Sequence, residues 1–181
     1  MAVVGRHLIC SFRNQKIENM PIGPELIGRL LDRHAPALAL YARQLCDDPD
    51  DVVQRAFIKL AEQHTAPQSP VAWLFKVVRH EALMESRSVR RRKRRETQAA
   101  QLKTNCFRSS ADDAIDAGIV ADALVLLADQ QREIVTSHIW GGLTFREIGE
   151  LLGISDSTAH RRYQEALESL RKQMGASCQN N

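Results

Sequence analysis

Thr158, His160, Arg161, Arg162 and Gln164 crowd into one stretch, "SDSTAHRRYQEALESL". Arginine can donate to a guanine edge and glutamine can pair with adenine, while Ser or Thr near a helix start can hold a phosphate. A second concentration of cations, "SVRRRKRR", occupies 88–95. An acidic knot, "DDPDD", stands against both and opens the stretch "DDPDDVVQRAFIKLAEQ". Carboxylates are out of place in a chain that only approaches phosphate, so a second partner of different chemistry is expected.

Covalent chemistry has little support. His34, His64, His80, His138 and His160 are dispersed, no Asp/Glu set pairs with them at a useful spacing, and nothing marks a nucleophile. Cys10, Cys46, Cys106 and Cys178 form no CxxC pair and have no His at metal spacing, so they read as reduced thiols, with no metal and no cofactor expected. The 181 residues carry a formal net charge of +3. They are 44% hydrophobic and only 5% aromatic, which suits a globular chain with an aliphatic helical core. No apolar run approaches a membrane span, and "MAVVGRHLICSF" lacks the body of a secretory signal. A cytoplasmic protein is expected.

The elements that must position these residues are helices. Residues 1–23 read as an N-terminal extension, with Met20 as an alternative start. "PELIGRLLDRH" repeats Leu26, Leu30 and Leu31, and Pro36 should kink or restart the helix. Leu38, Tyr41, Ala42 and Leu45 then share a stripe. Asp50 or Asp51 is placed to cap the next helix. In it Val53, Phe57, Leu60 and Ala61 face a core, and Asp51, Gln54, Arg55 and Ile58 lie on a neighbouring face. "HTAPQSP" breaks the pattern before "VAWLFKVVRHEALMESR", which runs into the basic stretch. Residues 97–120 read as a linker, 121–174 as a second helical unit and 175–181 as a tail.

"LTFREIGELLGISDSTAHRRYQEALESLRKQM" is the most specific segment. Thr144 and Glu147 make a capping box, Ile148, Leu151 and Leu152 a buried side, Gly153 a left-handed helix end, and Ser155 a new cap. Helix, glycine turn and capped helix describe a helix-turn-helix. Ala159, Ala166, Leu167 and Leu170 face inward, joined by Tyr163. Ser157, His160, Arg161 and Gln164 then face outward from the half of the helix that enters the major groove in this motif. Arg162 suits a phosphate better than a base edge.

These two units stand in a fixed order that resembles the extracytoplasmic-function sigma factors of the sigma-70 family. "DDPDDVVQRAFIKLAEQ" and "SPVAWLFKVVRHEALMESRSVRRRKRR" match the first domain, and "LLADQQREIVTSHIWGGLTFREIGELLGISDSTAHRRYQEALESLRK" the second. The resemblance implies an all-α fold of two small helical domains joined by a flexible linker: sigma domain 2 over 24–96 and helix-turn-helix sigma domain 4 over 121–174. It implies a subunit that binds bacterial core RNA polymerase, directs it to promoter DNA and promotes initiation, with no enzymatic activity of its own, and a monomer when free. Asp51, Gln54, Arg55 and Ile58 match the polymerase-docking helix. Lys76, Arg79, His80, Arg87, Arg90 and Arg91 match the segment that meets the −10 element. Thr158, His160, Arg161, Arg162 and Gln164 match the −35 reader. An anti-sigma partner is expected on the same grounds.

Several positions depart from the family pattern. His80 stands where relatives often carry Asn, and an imidazole cannot copy an amide's paired donor and acceptor. Glu165 and Glu168 stand where many relatives are basic or neutral. Trp73 and Trp140 are expected to pack rather than to stack on bases. The competing reading is a free-standing helix-turn-helix regulator. It explains 121–174 but leaves "DDPDDVVQRAF" without a purpose, and neither a dimer surface nor an effector pocket stands out.

Overall fold

The computed structural model describes residues 22–96 and 124–177, with side chains through 91 and 172 respectively. The N-terminal extension, the linker from 97 and the tail beyond 177 lie outside the described residues, as do Cys10, Cys106 and Cys178. Every long element described is a helix: α1 (Pro24–Ala42), α2 (Pro49–Ala61), α3 (Pro70–Glu96), α4 (Asp129–Ile139), α5 (Phe145–Leu152) and α6 (Asp156–Ser177). The last helix passes three residues beyond the expected end at Met174.

Pro36 does not break α1, contrary to expectation. A proline inside a helix costs about 3 kcal/mol. Leu26 and Leu30 before it, and Leu38, Tyr41 and Ala42 after it, are all buried on one continuous stripe. Each large side chain contributes ~1.5–3 kcal/mol on burial, so packing on both sides outweighs the lost hydrogen bond. The cap of α2 is Asp48, not Asp50 or Asp51; its carboxylate accepts from the Asp51 amide at 3.3 Å. Pro49 at the first helical position fixes that choice, since it has no N–H to satisfy and its φ suits a helix start. Asp50 and Asp51 fall in the first turn, where the helix dipole favours carboxylates.

In α2 the buried residues are Val52, Val53, Ala56, Phe57 and Leu60, while Ala61 is exposed. The helices α1, α2 and α3 pack on one another, as do α4, α5 and α6. The two units also touch: α1 meets α4 and α3 meets α5. One apolar cluster runs from Leu38, Tyr41, Leu60, Leu74 and Phe75 into Ile134, Leu143, Ile148 and Ala159 of the second unit. A smaller cluster holds Leu124, Leu127, Val135 and Ala166.

Candidate polymerase and nucleic-acid interfaces

The α2 face carries two adjacent stripes. Gln54 and Ile58 line a shallow groove of about 420 Å³ with Ile27, Leu31, Val53 and Phe57. Ile58 is 50% exposed and Leu31 43%, so apolar surface lies open there. Asp51 and Arg55 form the other stripe and pair with each other. Arg55 also reaches α3, donating to Glu85 at 2.7 Å and lying 3.4 Å from Glu81. Lys59 bonds Glu81 at 2.6 Å and thereby holds that carboxyl below its ordinary pKa. Arg55 is thus a staple between α2 and α3 as well as a surface cation, a role its position on the docking face did not reveal.

The cationic face of α3 follows. Lys76, Arg79, His80 and Arg87 line an open cavity of about 280 Å³, closed on one side by Leu151 of α5. His80, Arg87, Arg90 and Arg91 are exposed to solvent. Trp73 is half-buried and packs against the core, as expected. Phe75 is fully buried, with its ring centroid 5.1 Å from that of Tyr41.

The helix-turn-helix has the predicted local chemistry. The Thr144 hydroxyl accepts from the Glu147 amide at 3.3 Å, and Glu147 accepts from the Thr144 amide at 2.9 Å. Gly153 ends α5 in the left-handed region at φ 69°. Gly149 was not singled out from sequence, yet a Cβ there would lie 2.7 Å from the Ile154 carbonyl oxygen, so only glycine lets α5 approach the turn. Ser155 accepts from the Thr158 amide at 3.2 Å.

On α6 the five candidate residues divide. His160, Arg161 and Gln164 are exposed. Arg161 is bonded to Glu165 at 2.5 Å, an exposed pair that a base edge can displace. Thr158 is engaged with Ser155, its hydroxyl 2.8 Å away. Arg162 donates to Gln130 of α4, so it braces the motif from a half-buried position. His160 also stands edge-on to Phe145 at 4.9 Å. Trp140, expected to pack, ends α4 with 39% of its surface exposed.

The boundary between the two units is polar and was not legible in the sequence. Tyr41 donates to Glu133 Oε2 at 2.5 Å, and Arg79 donates to the same oxygen at 2.9 Å. Gln44 donates to Thr136 at 2.7 Å, Ser69 to Glu147 at 2.6 Å and Lys76 to Glu150 at 3.0 Å. Glu133 and Thr136 are buried. Burial, then the Glu133 charge, push the Tyr41 phenol well above its usual pKa. Burial works against the charge on Arg79, but Glu133 more than offsets it and raises the guanidinium pKa. Against the effect of its own burial, bonds from Ser69 and Thr144 hold Glu147 below the usual carboxylate range.

A cationic helix, an apolar groove beside carboxylates and a helix-turn-helix define a bipartite, all-helical DNA-binding protein with a further docking face. Known proteins share the arrangement. Residues 30–95 match the family model for sigma-70 region 2, and 123–172 that for sigma-70 region 4. The chain is 30% identical over 155 residues to the ECF RNA polymerase sigma factor SigL of Mycobacterium tuberculosis, covering 81% of this chain and 87% of that one. It is 29% identical over 113 residues to the ECF RNA polymerase sigma factor SigK of Mycobacterium ulcerans, covering 60% of each. Its fold resembles the sigma factor RpoE solved in complex with the anti-sigma factor NepR from Bartonella quintana, with a TM-score of 0.63 at 21% identity over 84% of this chain and 98% of that one. It also resembles CnrH solved with the cytosolic domain of CnrY, at 0.55 and 24%, over 85% and 90%. The chain belongs to the extracytoplasmic-function sigma factors of the sigma-70 family, the subunits that bring RNA polymerase to promoters and support initiation.

Proposed function

We propose that Asp51, Gln54, Arg55 and Ile58 dock this sigma factor on core polymerase. In this reading Lys76, Arg79, His80, Arg87, Arg90 and Arg91 meet the −10 element, and His160, Arg161 and Gln164, with Thr158 and Arg162 behind them, meet the −35 element. The domain limits are 24–96 and 121–174. The observation that carries this reading is the exposure of His160, Arg161 and Gln164 on the helix that follows the glycine turn. Carboxylates beside an apolar groove on α2 suit a protein partner, because charge there gives orientation and discrimination while the apolar surface gives affinity.

The protein acts without catalysis of its own and works in the cytoplasm, where the polymerase is. Its work is binding energy. Phosphate contacts from α3 position the DNA, and base-edge contacts from α6 choose the sequence. An anti-sigma partner would compete for the α2 groove; the solved sigma factors of like fold are held by such proteins.

Reconstituted transcription tests the reading. The purified chain is mixed with sigma-free bacterial core polymerase and a library of upstream DNA from its own genome. Specific initiation is expected, falling with Asp51→Arg through lost docking and with Arg161→Ala through lost promoter choice. No core binding and no initiation, together with a specific shift of duplex DNA by the chain alone, would instead identify a free-standing regulator.

A further inference from the structure

We propose that the C-terminal unit masks the −10-reading helix of the free chain, with Glu133 and Glu150 standing where DNA phosphates would stand, so that the protein must open before it reads a two-part promoter. The inference rests on the assignment of Lys76 and Arg79 to DNA contact.

Three observations carry it. Two of the α3 cations assigned to DNA are already neutralised inside the molecule: Arg79 by buried Glu133 at 2.9 Å and Lys76 by Glu150 at 3.0 Å. A carboxylate and a phosphate oxygen are interchangeable acceptors for a guanidinium or an ammonium. The acidic edge of the second unit therefore competes with DNA for the same donors.

The second observation is one of length. Elements centred at −35 and −10 are separated by 25 base pairs, about 85 Å at about 3.4 Å per step. The two reading units here touch at hydrogen-bond distance. They cannot occupy both elements in this arrangement. The 27 residues from 97 to 123 can reach about 90 Å when extended, so the chain permits the required separation.

The third is the quality of the seam. It is polar, as interfaces between mobile domains are. Gln44 Oε1 is buried in it with no hydrogen-bond partner among the described residues. Opening would return that acceptor to water and recover its hydration. Gly141 lies flush on Phe75, where a Cβ would meet the ring at 2.6 Å, so the closed form is closely fitted as well as separable.

The test compares the full-length chain with Glu133→Gln and with Glu150→Gln, the latter on an exposed rim where misfolding is not at issue. Small-angle X-ray scattering reads compactness, circular dichroism checks helicity, and binding to a single-stranded DNA oligomer is titrated against salt. The wild-type chain should be compact. The variants should keep their helicity, expand, and bind DNA with a steeper salt dependence. The slope should grow by about 1.4 log units per log of salt in the double variant, at about 0.7 for each cation freed.

A wild-type chain already extended in solution overturns the proposal. So does a variant that expands with no change in salt slope. Whether the DNA assignment fell with it is read from Lys76→Ala and Arg79→Ala in the reconstituted transcription assay: initiation that is lost keeps the assignment, and initiation that persists removes it.

Discussion

Arg161 and Gly149 show how differently two residues of one motif act. Arg161 is exposed and held only by Glu165, so its removal costs the fold little. An arginine that reads a base contributes ~1–3 kcal/mol of discrimination. Arg161→Ala should therefore lower promoter-specific binding by roughly 5- to 150-fold with an unchanged melting temperature, measured by competition between cognate and scrambled duplexes in the presence of core polymerase. Gly149 makes no DNA contact in this reading but permits the turn. Gly149→Ala drives a Cβ against the Ile154 carbonyl and the Asp156 amide, both backbone atoms that cannot swing aside. It should destabilise the motif by about 1–3 kcal/mol, seen as a lower melting temperature, despite the better helix propensity of alanine. A melting temperature equal to wild type would show that α5 and the turn can part without cost.

Among the helices, α1 offers the clearest test of packing against propensity. Pro36 sits inside it between buried Leu30 and buried Leu38. If burial alone carries the helix through the proline, Pro36→Ala should raise stability by up to about 3 kcal/mol in chemical denaturation. A destabilised variant would mean that the proline ring itself is needed in the packing. The helices were readable where the signals are local. Thr144, Glu147, Gly153 and Ser155 act on neighbours within four residues, so spacing alone located the helix-turn-helix. Asp48 was missed as a cap because "DDPDD" offers four carboxylates, and only the stereochemistry of Pro49 selects one. Pro36 misled because a local penalty was weighed without the core that offsets it. Arg55 was legible as a surface residue of α2, but its bonds to Glu81 and Glu85 depend on how α2 lies against α3. No periodicity encodes that relation.

For the molecule as a whole, the seam between the units was invisible from sequence because its partners are far apart in the chain. Tyr41 and Glu133 are separated by 92 residues, as are Gln44 and Thr136. Nothing in "DQQREIV" distinguishes Glu133 from a solvated carboxylate. The seam also gives the fold a pH dependence. Glu147 is held below the usual carboxylate range by Ser69 and Thr144 against its own burial, and Glu150 by Lys76. A carboxylate with a lowered pKa stabilises the folded arrangement above its unfolded value, about 4.3, and that contribution is lost as pH falls through the folded value. The closed form should therefore hold at neutral pH and loosen below about pH 4.3, as an increase in hydrodynamic radius before the helices melt. Expansion on raising the pH from neutrality, with a compact form in acid, would contradict this.

The five polar contacts across the seam share a direction. Tyr41, Gln44, Ser69, Lys76 and Arg79 donate from the first unit, and Glu133, Thr136, Glu147 and Glu150 accept on the second. Such a surface cannot be self-complementary. Two copies meeting by their first units would set donor against donor, and by their second units acceptor against acceptor, so a symmetric dimer through either face is disfavoured. The pairing that satisfies the donors between copies is a reciprocal exchange of units. Tethering opposes it by holding the matching faces of one chain at an effective concentration on the order of millimolar. Exchange of units between chains then becomes a hazard of highly concentrated preparations, while a dilute chain finds its partner surface within itself.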